Sequence, residues 1–262
     1  MRDFLEDAEG AAARGEIGPG KANRGRDKPV FPKRFYDEVS IHELETGFAI
    51  KLDERSVKTP GKSDLVLPSR KAAELVASEW QSVSEEINPL KMPVTRLVNT
   101  AVDGVANELQ AVLEDIVRYA SSDLLCYRAD GPDGLIAAQR EHWDPILDWA
   151  EQDLGAHFLL SEGIVHIAQP KETLASFSSR LKQHEDAYKI TCIHSFTSLS
   201  GSALIALALA EGEVSSEAAW AAAHVDEDWN ISQWGEDHEA AMRRTQRKLD
   251  FDAAYHLFQA LS

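Results

Sequence analysis

The sequence predicts an α+β fold, with a small antiparallel β-rich N-terminal domain followed by a larger, mainly α-helical C-terminal domain. Three observations predict it. Residues 34–68 carry short alternating runs split by turn residues, and residues after about 94 keep a helical period almost throughout. Between them, Asn88-Pro89 and Met92-Pro93 punctuate the chain, because a residue before proline is pushed away from helical dihedrals. The expected division is a flexible arm over residues 1–33, a β-rich domain over 34–93 and a helical domain over 94–262.

The arm is rich in Gly, Ala and both signs of charge, with no sustained apolar period, which predicts mobility and a short helix near Phe4. It lacks the apolar core of a secretory signal, and its acids argue against an organelle transit peptide, so a cytoplasmic protein is expected. The front domain reads as the β-like runs FYDEVSIHEL, GFAIKL, SVKTP and LVLP, separated at Thr46-Gly47, Asp53-Glu54-Arg55 and Gly61-Lys62. In GFAIKL, Phe48, Ile50 and Leu52 alternate with Ala49 and Lys51, giving a strand with one buried face. Together the runs predict an antiparallel meander. Ser69 then caps a helix to about Ser82, in which Ala72, Leu75, Val76 and Glu79-Trp80 keep the helical period.

In the back domain TRLVNTAVDGV, NELQAVLEDIVRYA, SDLLCYRA and QREHWDPILDWAEQDL all read as helices, with Leu109, Val112, Leu113, Ile116 and Val117 making one stripe. A hairpin is expected at HFLLSEGIVHIA, turning at Glu162-Gly163. Helices resume near Pro170 and run to Leu261. The longest apolar run, Ala203 to Ala210, is far short of the ~20 residues of a membrane span and predicts a buried helix.

Composition narrows the partners. The formal charge of −17 over 262 residues repels nucleic-acid phosphates and anionic lipid heads, so neither nucleic acid binding nor stable membrane insertion is expected. A basic protein or peptide fits better. Cys126 and Cys192 alone make no disulfide framework and no zinc motif, which points to a reducing compartment.

Catalytic constellations are missing. There is no G-x-G-x-x-G, no phosphate-binding loop and no H-E-x-x-H. Ser200, in SLSGSA, lacks the first glycine of a nucleophile elbow and runs into an apolar helix. Cys126, among leucines, reads as a packing residue. Of the histidines only His224, with Asp228, and His238, within GEDHE, have carboxylates at helical reach. His224 and Asp228 stand four apart, as two ligands of a metal would, but no third ligand is evident. A metal-dependent hydrolase built on that pair is the enzymatic alternative; the favoured expectation is no catalytic residue, no metal and no cofactor.

The densest chemistry is VDEDWNISQWGEDHEA, residues 225–240, with six carboxylates, one histidine and two tryptophans. From Lys189 to Arg243 there is no intervening lysine or arginine, while nine Asp or Glu lie between Glu211 and Glu239. The acids are thus expected to lack local partners. Helical spacing places Trp220, His224, Glu227, Ile231 and Trp234 on one face. Gly235 predicts a break, with Glu236, Asp237 and Glu239 opening the next helix, where carboxylates favour the positive end of the dipole. Capping and core packing account for part of the pattern. The remainder is an acidic corner beside Trp234, and aromatics rimmed by charge resemble a protein-binding hot spot. The candidate partner-binding residues are Asp226, Glu227, Trp234, Glu236, Asp237 and Glu239.

LDERSVKTP (52–60) with the following LVLPS, ASEW (77–80), INPLKMPVTRLVNTAVD (87–103), YASSDLLCYRA (119–129), WDPILDWA (143–150), VDEDW (225–229) and WGEDHEA (234–240) occur together and in order. In this the chain resembles the assembly chaperones that hold the free alpha subunit of the F-type ATP synthase, the ATP-twelve family. The resemblance covers nearly everything after Arg34 and leaves out the arm. It implies a non-catalytic holdase, working as a monomer, that masks the alpha surface until the beta subunit displaces it. It also implies a bacterial cytoplasmic protein with mitochondrial-matrix relatives in eukaryotes, and the acidic corner matches a family segment where acidic residues matter for activity. An acidic module for some other basic protein is the remaining alternative. Tyr119, Asp123, Tyr127 and Arg128 are expected to form a buried hydrogen-bonded cluster, and Arg96 with Asp103 a similar pair.

Overall fold

Alternating side chains and two-residue turns build the front of the molecule. In a computed structural model that describes residues 31–163 and 165–261, β1 (Val39–Leu44) and β2 (Gly47–Leu52) pair antiparallel with Ile41 opposite Ile50. β3 (Arg55–Ser56) and β4 (Val66–Leu67) both pair with β2, so β2 is the central strand of the antiparallel sheet. Gly47 has φ +139°, and a Cβ there would stand 2.4 Å from the Leu67 carbonyl oxygen, so only glycine lets β4 approach. The arm expected over 1–33, with its helix near Phe4, lies outside the described residues except for its last three positions.

α1 (Arg70–Ser82) begins where the sequence places it: the Ser69 hydroxyl accepts from the Ala72 N–H at 3.0 Å, and Ala72, Ala73 and Val76 are buried beneath the sheet region. Pro93 then opens α2 (Pro93–Thr100), whose first N–H groups donate to the Glu79 carboxylate of α1: Val94 at 2.8 Å and Thr95 at 2.7 Å. Burial raises the Glu79 pKa against those hydrogen bonds. A π-turn at Ala101–Val105 leads to α3 (Leu109–Ala120), and α4 (Asp133–Leu154), α5 (Lys171–Leu181), α6 (Ala187–Ser200) and α7 (Ala203–Glu211) complete the helical body. α7 is buried from Ala203 to Leu209, as its apolar run predicts. α8 (Ser216–Ala223), α9 (Val225–Trp234) and α10 (His238–Ala260) follow.

The change at Pro93 is one of secondary structure, because the core runs across it. One apolar cluster joins Tyr36, Ile50 and Leu67 in front to Phe196, Phe251 and Leu257 behind. Hydrogen bonds cross the same seam: Tyr188 donates its hydroxyl to the Val66 carbonyl at 2.6 Å, and the Ser69 hydroxyl donates to the Ala260 carbonyl.

Several expectations are corrected here. SDLLCYRA is a 3-10 turn (Leu124–Cys126) followed by β5 (Tyr127–Arg128), not a helix. The reason is Asp123, whose fully buried carboxylate accepts from Leu125 N at 3.1 Å, Ser202 Oγ at 2.7 Å and Leu204 N at 3.0 Å, bending the chain to cap α7. The hairpin expected at residues 157–168 gives way to β6 (Ser161–Glu162), which pairs in parallel with β5. Gln169 takes the place of a hairpin partner, its side-chain amide binding both the N–H and the C=O of Leu159 at 2.8 and 2.9 Å.

Three members of the expected four-residue polar cluster, Asp123, Tyr127 and Arg128, go to different partners. Asp123 serves α7, Arg128 pairs with Asp144 at 2.7 Å over the Trp143 ring, and the Tyr127 hydroxyl meets His166 Nδ1 at 3.2 Å. Arg96 and Asp103 also separate: Arg96 pairs with Asp250 of α10 at 2.6 Å, and Asp103 accepts from Thr59 Oγ1 at 2.6 Å and Gly61 N at 2.7 Å. Both cysteines are buried, and burial pushes the Cys126 thiol up to about 12, leaving it protonated and unreactive. Ser200 is buried too, with its hydroxyl donating to the Phe196 carbonyl inside α6.

Candidate functional site

The acidic stretch forms a helical hairpin, α9 and the first half of α10, bent at Gly235. It starts from a buried base. Trp220 is a core residue, its ring 3.9 Å from the His224 ring and 5.3 Å from Phe251. His224 Nδ1 donates to the Trp220 carbonyl at 2.8 Å, and burial holds its pKa below the usual value, so the imidazole is neutral at pH 7.

α9 places Asp226, Glu227 and Asp228 in its first turn, where carboxylates face the positive end of the helix dipole. Asp226 turns toward α4: its Oδ1 accepts from Gln139 Nε2 at 2.7 Å, and Gln139 Oε1 accepts from Ala129 N at 2.9 Å. Trp229 lies against Gly134 of α4, where an added Cβ would stand 2.3 Å from the indole. Asp228 pairs with Arg244 of α10 at 2.5 Å. His224 and Asp228 are thus committed to different partners, and among the described residues no three His, Cys, Asp or Glu converge as a metal site.

Gly235, with φ +85° and ψ 172°, ends α9 as predicted, and the Asp237 side chain caps α10 by accepting from Ala240 N at 2.8 Å. Four of the six acids have hydrogen-bonded partners, contrary to expectation: Asp226, Asp228, Asp237 and Glu239. Arg243 binds Glu239 at 3.0 Å one turn away within α10, and Arg244 binds Asp228 because the bend at Gly235 brings α10 back against α9. The Asp228 hydrogen bond, and then the charges of Glu227 and Glu236, hold the Arg244 guanidinium above its usual pKa range.

Between the two helices lies a groove of about 380 Å³. Ile231, Ala240 and Ala241 line it with apolar surface, Trp234 walls it, and its charged lining is Glu227, Glu236 and Asp237 together with Arg244. Trp234 is 78% exposed, and α10 adds exposed Met242 and Leu249. From Asp226 to Asp250 no residue is buried. Of the six residues expected to bind a partner, Glu227, Trp234, Glu236 and Asp237 share this groove; Asp226 faces α4 and Glu239 faces Arg243. Sequence reasoning missed Gln139, Gly134 and Arg244, whose partners lie on another element or beyond the bend.

The fold has solved counterparts. Atp12 from Paracoccus denitrificans is 35% identical to the chain and superposes with a TM-score of 0.82, covering 88% of this chain and 98% of that one. The chain belongs to the ATP12 chaperone family. The family model, ATP12 chaperone protein, matches residues 33–151. The Atu1473 protein of Agrobacterium tumefaciens is 51% identical with a TM-score of 0.86, covering 88% of this chain and 87% of that one. The mitochondrial protein atp12 of Schizosaccharomyces pombe is 23% identical over 84% of this chain and 79% of its own length. ATP12 proteins are non-catalytic chaperones of ATP synthase assembly, and the chain is one of them. Among the described residues no helix is long and apolar enough to cross a membrane.

Proposed function

We propose that this ATP12 chaperone is a monomeric holdase of the bacterial cytoplasm that docks the free alpha subunit of the F-type ATP synthase on the α9–α10 hairpin. The observation that carries this reading is Trp234, 78% exposed beside an apolar groove with acidic sides. Large exposed aromatics cost solubility, and a tryptophan rimmed by polar groups is the common form of an interface anchor. With three carboxylates, Glu227, Glu236 and Asp237, to the one cation of Arg244, the groove keeps a net negative charge and suits a lysine or arginine side chain whose methylenes lie against Ile231, Ala240 and Ala241. A lone alpha subunit exposes the surface that beta later covers, and such surface aggregates. Release to beta requires modest affinity, which a small anchored and charge-steered contact provides.

The test is refolding of isolated alpha subunit with the native chain or with a Trp234→Ser, Glu236→Lys double variant, both residues being exposed. The expected outcome is soluble alpha with the native chain and aggregation with a variant whose circular dichroism is unchanged. Equal protection by both proteins would move the docking surface elsewhere; protection of other basic proteins but not of alpha would favour a general acidic module.

A further inference from the structure

We propose that Gln139 and Asp226 are positioning residues that aim the hairpin, and that Asp226 works as a hydrogen-bond acceptor toward α4 rather than as a charge toward the partner. The inference rests on the docking reading above. Asp226 appears among the acids as one more candidate contact, yet its Oδ1 is spent at 2.7 Å on an amide that is itself only 3% exposed. That amide has a second duty, since Gln139 Oε1 fixes Ala129 N at 2.9 Å just beyond β5. The glutamine cannot flip without facing an N–H with its own NH₂ group, so its donor is locked toward α9. A chain of two hydrogen bonds therefore runs from the backbone after β5, through the interior of α4, to the first turn of the docking hairpin.

A second contact sets direction. As α9 advances from Asp226 to Trp229, its partners on α4 step back from Gln139 to Gly134, so the two helices run antiparallel. With no residue buried from Asp226 to Asp250, the hairpin has little packing of its own to hold it. Position is then set by few groups: for α9, buried Val225 at the root, the Gln139–Asp226 bond and Trp229 on Gly134; for α10, Arg247 donating to the Leu199 carbonyl and the Arg96–Asp250 pair; and between the two helices, the Arg244–Asp228 pair. Loss of the Gln139 bond changes where Trp234 and Glu236 point while the core stays intact.

The experiment separates acceptor from charge. Asp226→Asn keeps an oxygen for the Gln139 NH₂ group and removes the charge; Gln139→Glu leaves two carboxylates facing each other; the Gln139→Glu, Asp226→Asn double variant restores one donor and one acceptor with the roles exchanged. Two readouts are taken on the full chain: hydrogen exchange of α9 amides, and affinity for isolated alpha subunit. Asp226→Asn is expected to stay within about twofold of the native chain in both, since one oxygen acceptor replaces another. Gln139→Glu is expected to speed α9 exchange at least tenfold and weaken alpha binding about tenfold, with α7 exchange unchanged, and the double variant to recover most of both. Weakening of alpha binding by Asp226→Asn with normal α9 exchange would overturn the proposal, because the charge would then touch the partner. So would unchanged α9 exchange in Gln139→Glu. A native chain that failed to bind alpha would sink the docking reading alone, and α9 exchange would still decide whether the pair holds the hairpin.

Discussion

α7 and the α9–α10 hairpin are near neighbours in sequence and opposite in construction. α7 is apolar on every side and buried from Ala203 to Leu209, with Asp123 sealing its N-terminus. The hairpin has no fully buried residue from Asp226 to Asp250, carries most of its acids on α9 and the bend and its cations on α10, and is held to the body by a few named groups. One element supplies stability and presents no surface; the other presents surface and supplies little stability. A chaperone that must bind and then let go benefits from keeping the two apart, because its contact surface can vary without loosening the core.

The comparison breaks most sharply if a core deletion is tolerated. Leu207→Ala removes a fully buried side chain of α7 and is expected to cost about 3 kcal/mol, read as a lower denaturant midpoint. The fraction that remains folded should bind alpha normally. A cost below about 1 kcal/mol would show that α7 is not the anchor its burial implies.

The converse variant sharpens it. Trp234→Ala should leave folding stability within about 0.5 kcal/mol while costing about 2 kcal/mol of alpha affinity, measured by titration, as an exposed anchor does. A comparable loss of stability would mean that Trp234 packs in solution and that the hairpin is not open.

Asp123 makes the α7 side pH-dependent. Burial raises its pKa from 3.8 to about 6, against the hydrogen bonds from Ser202, Leu204 and Leu125. A folded value above the unfolded one means that the native state binds the proton more tightly. This group's contribution is fully present below about pH 4 and is lost as pH rises through about 6. Relative to Asp123→Asn, the native chain should therefore gain stability on the order of 2 kcal/mol between pH 8 and pH 4. Chemical denaturation of the two proteins across that range checks the sign, and a native chain that loses stability relative to Asp123→Asn on going from pH 8 to pH 4 would show that the hydrogen bonds outweigh the burial.

The smallest effect expected is at Arg244. Its pair with Asp228 is partly exposed, so Arg244→Met should cost about 0.5 kcal/mol or less in global stability. Hydrogen exchange should nonetheless quicken in α9 and early α10 and not in α7; a uniform change across both would erase the distinction between the regions.

What could be read from the sequence follows the same line. The Ser69 cap, the Gly235 break and the buried α7 were legible because each depends on residues within a turn of one another. The 3-10 turn at Leu124–Cys126 was not, since it is imposed by Asp123 reaching Ser202, 79 residues away. In the site, Trp234 and Glu236 stand out in a short window, whereas the role of Asp226 depends on Gln139, 87 residues distant. The Arg243–Glu239 pair follows helical spacing within α10, whereas the Arg244–Asp228 pair does not follow from the sequence, because the bend that returns Arg244 has a place but no direction in one dimension.

The seam between Ser69 and Ala260 has a consequence for how the protein is made. Phe251, Leu257 and Phe258 enter the same core as the sheet, so that core stays incomplete until residues 251–260 have left the ribosome. At roughly 5–20 residues per second, the segment from Arg70 to Ala260 takes about 10–40 s to synthesise, and during that interval the front strands wait for their last neighbours. A chaperone of ATP synthase assembly thus carries, during its own synthesis, an unfinished core that its last helix alone completes.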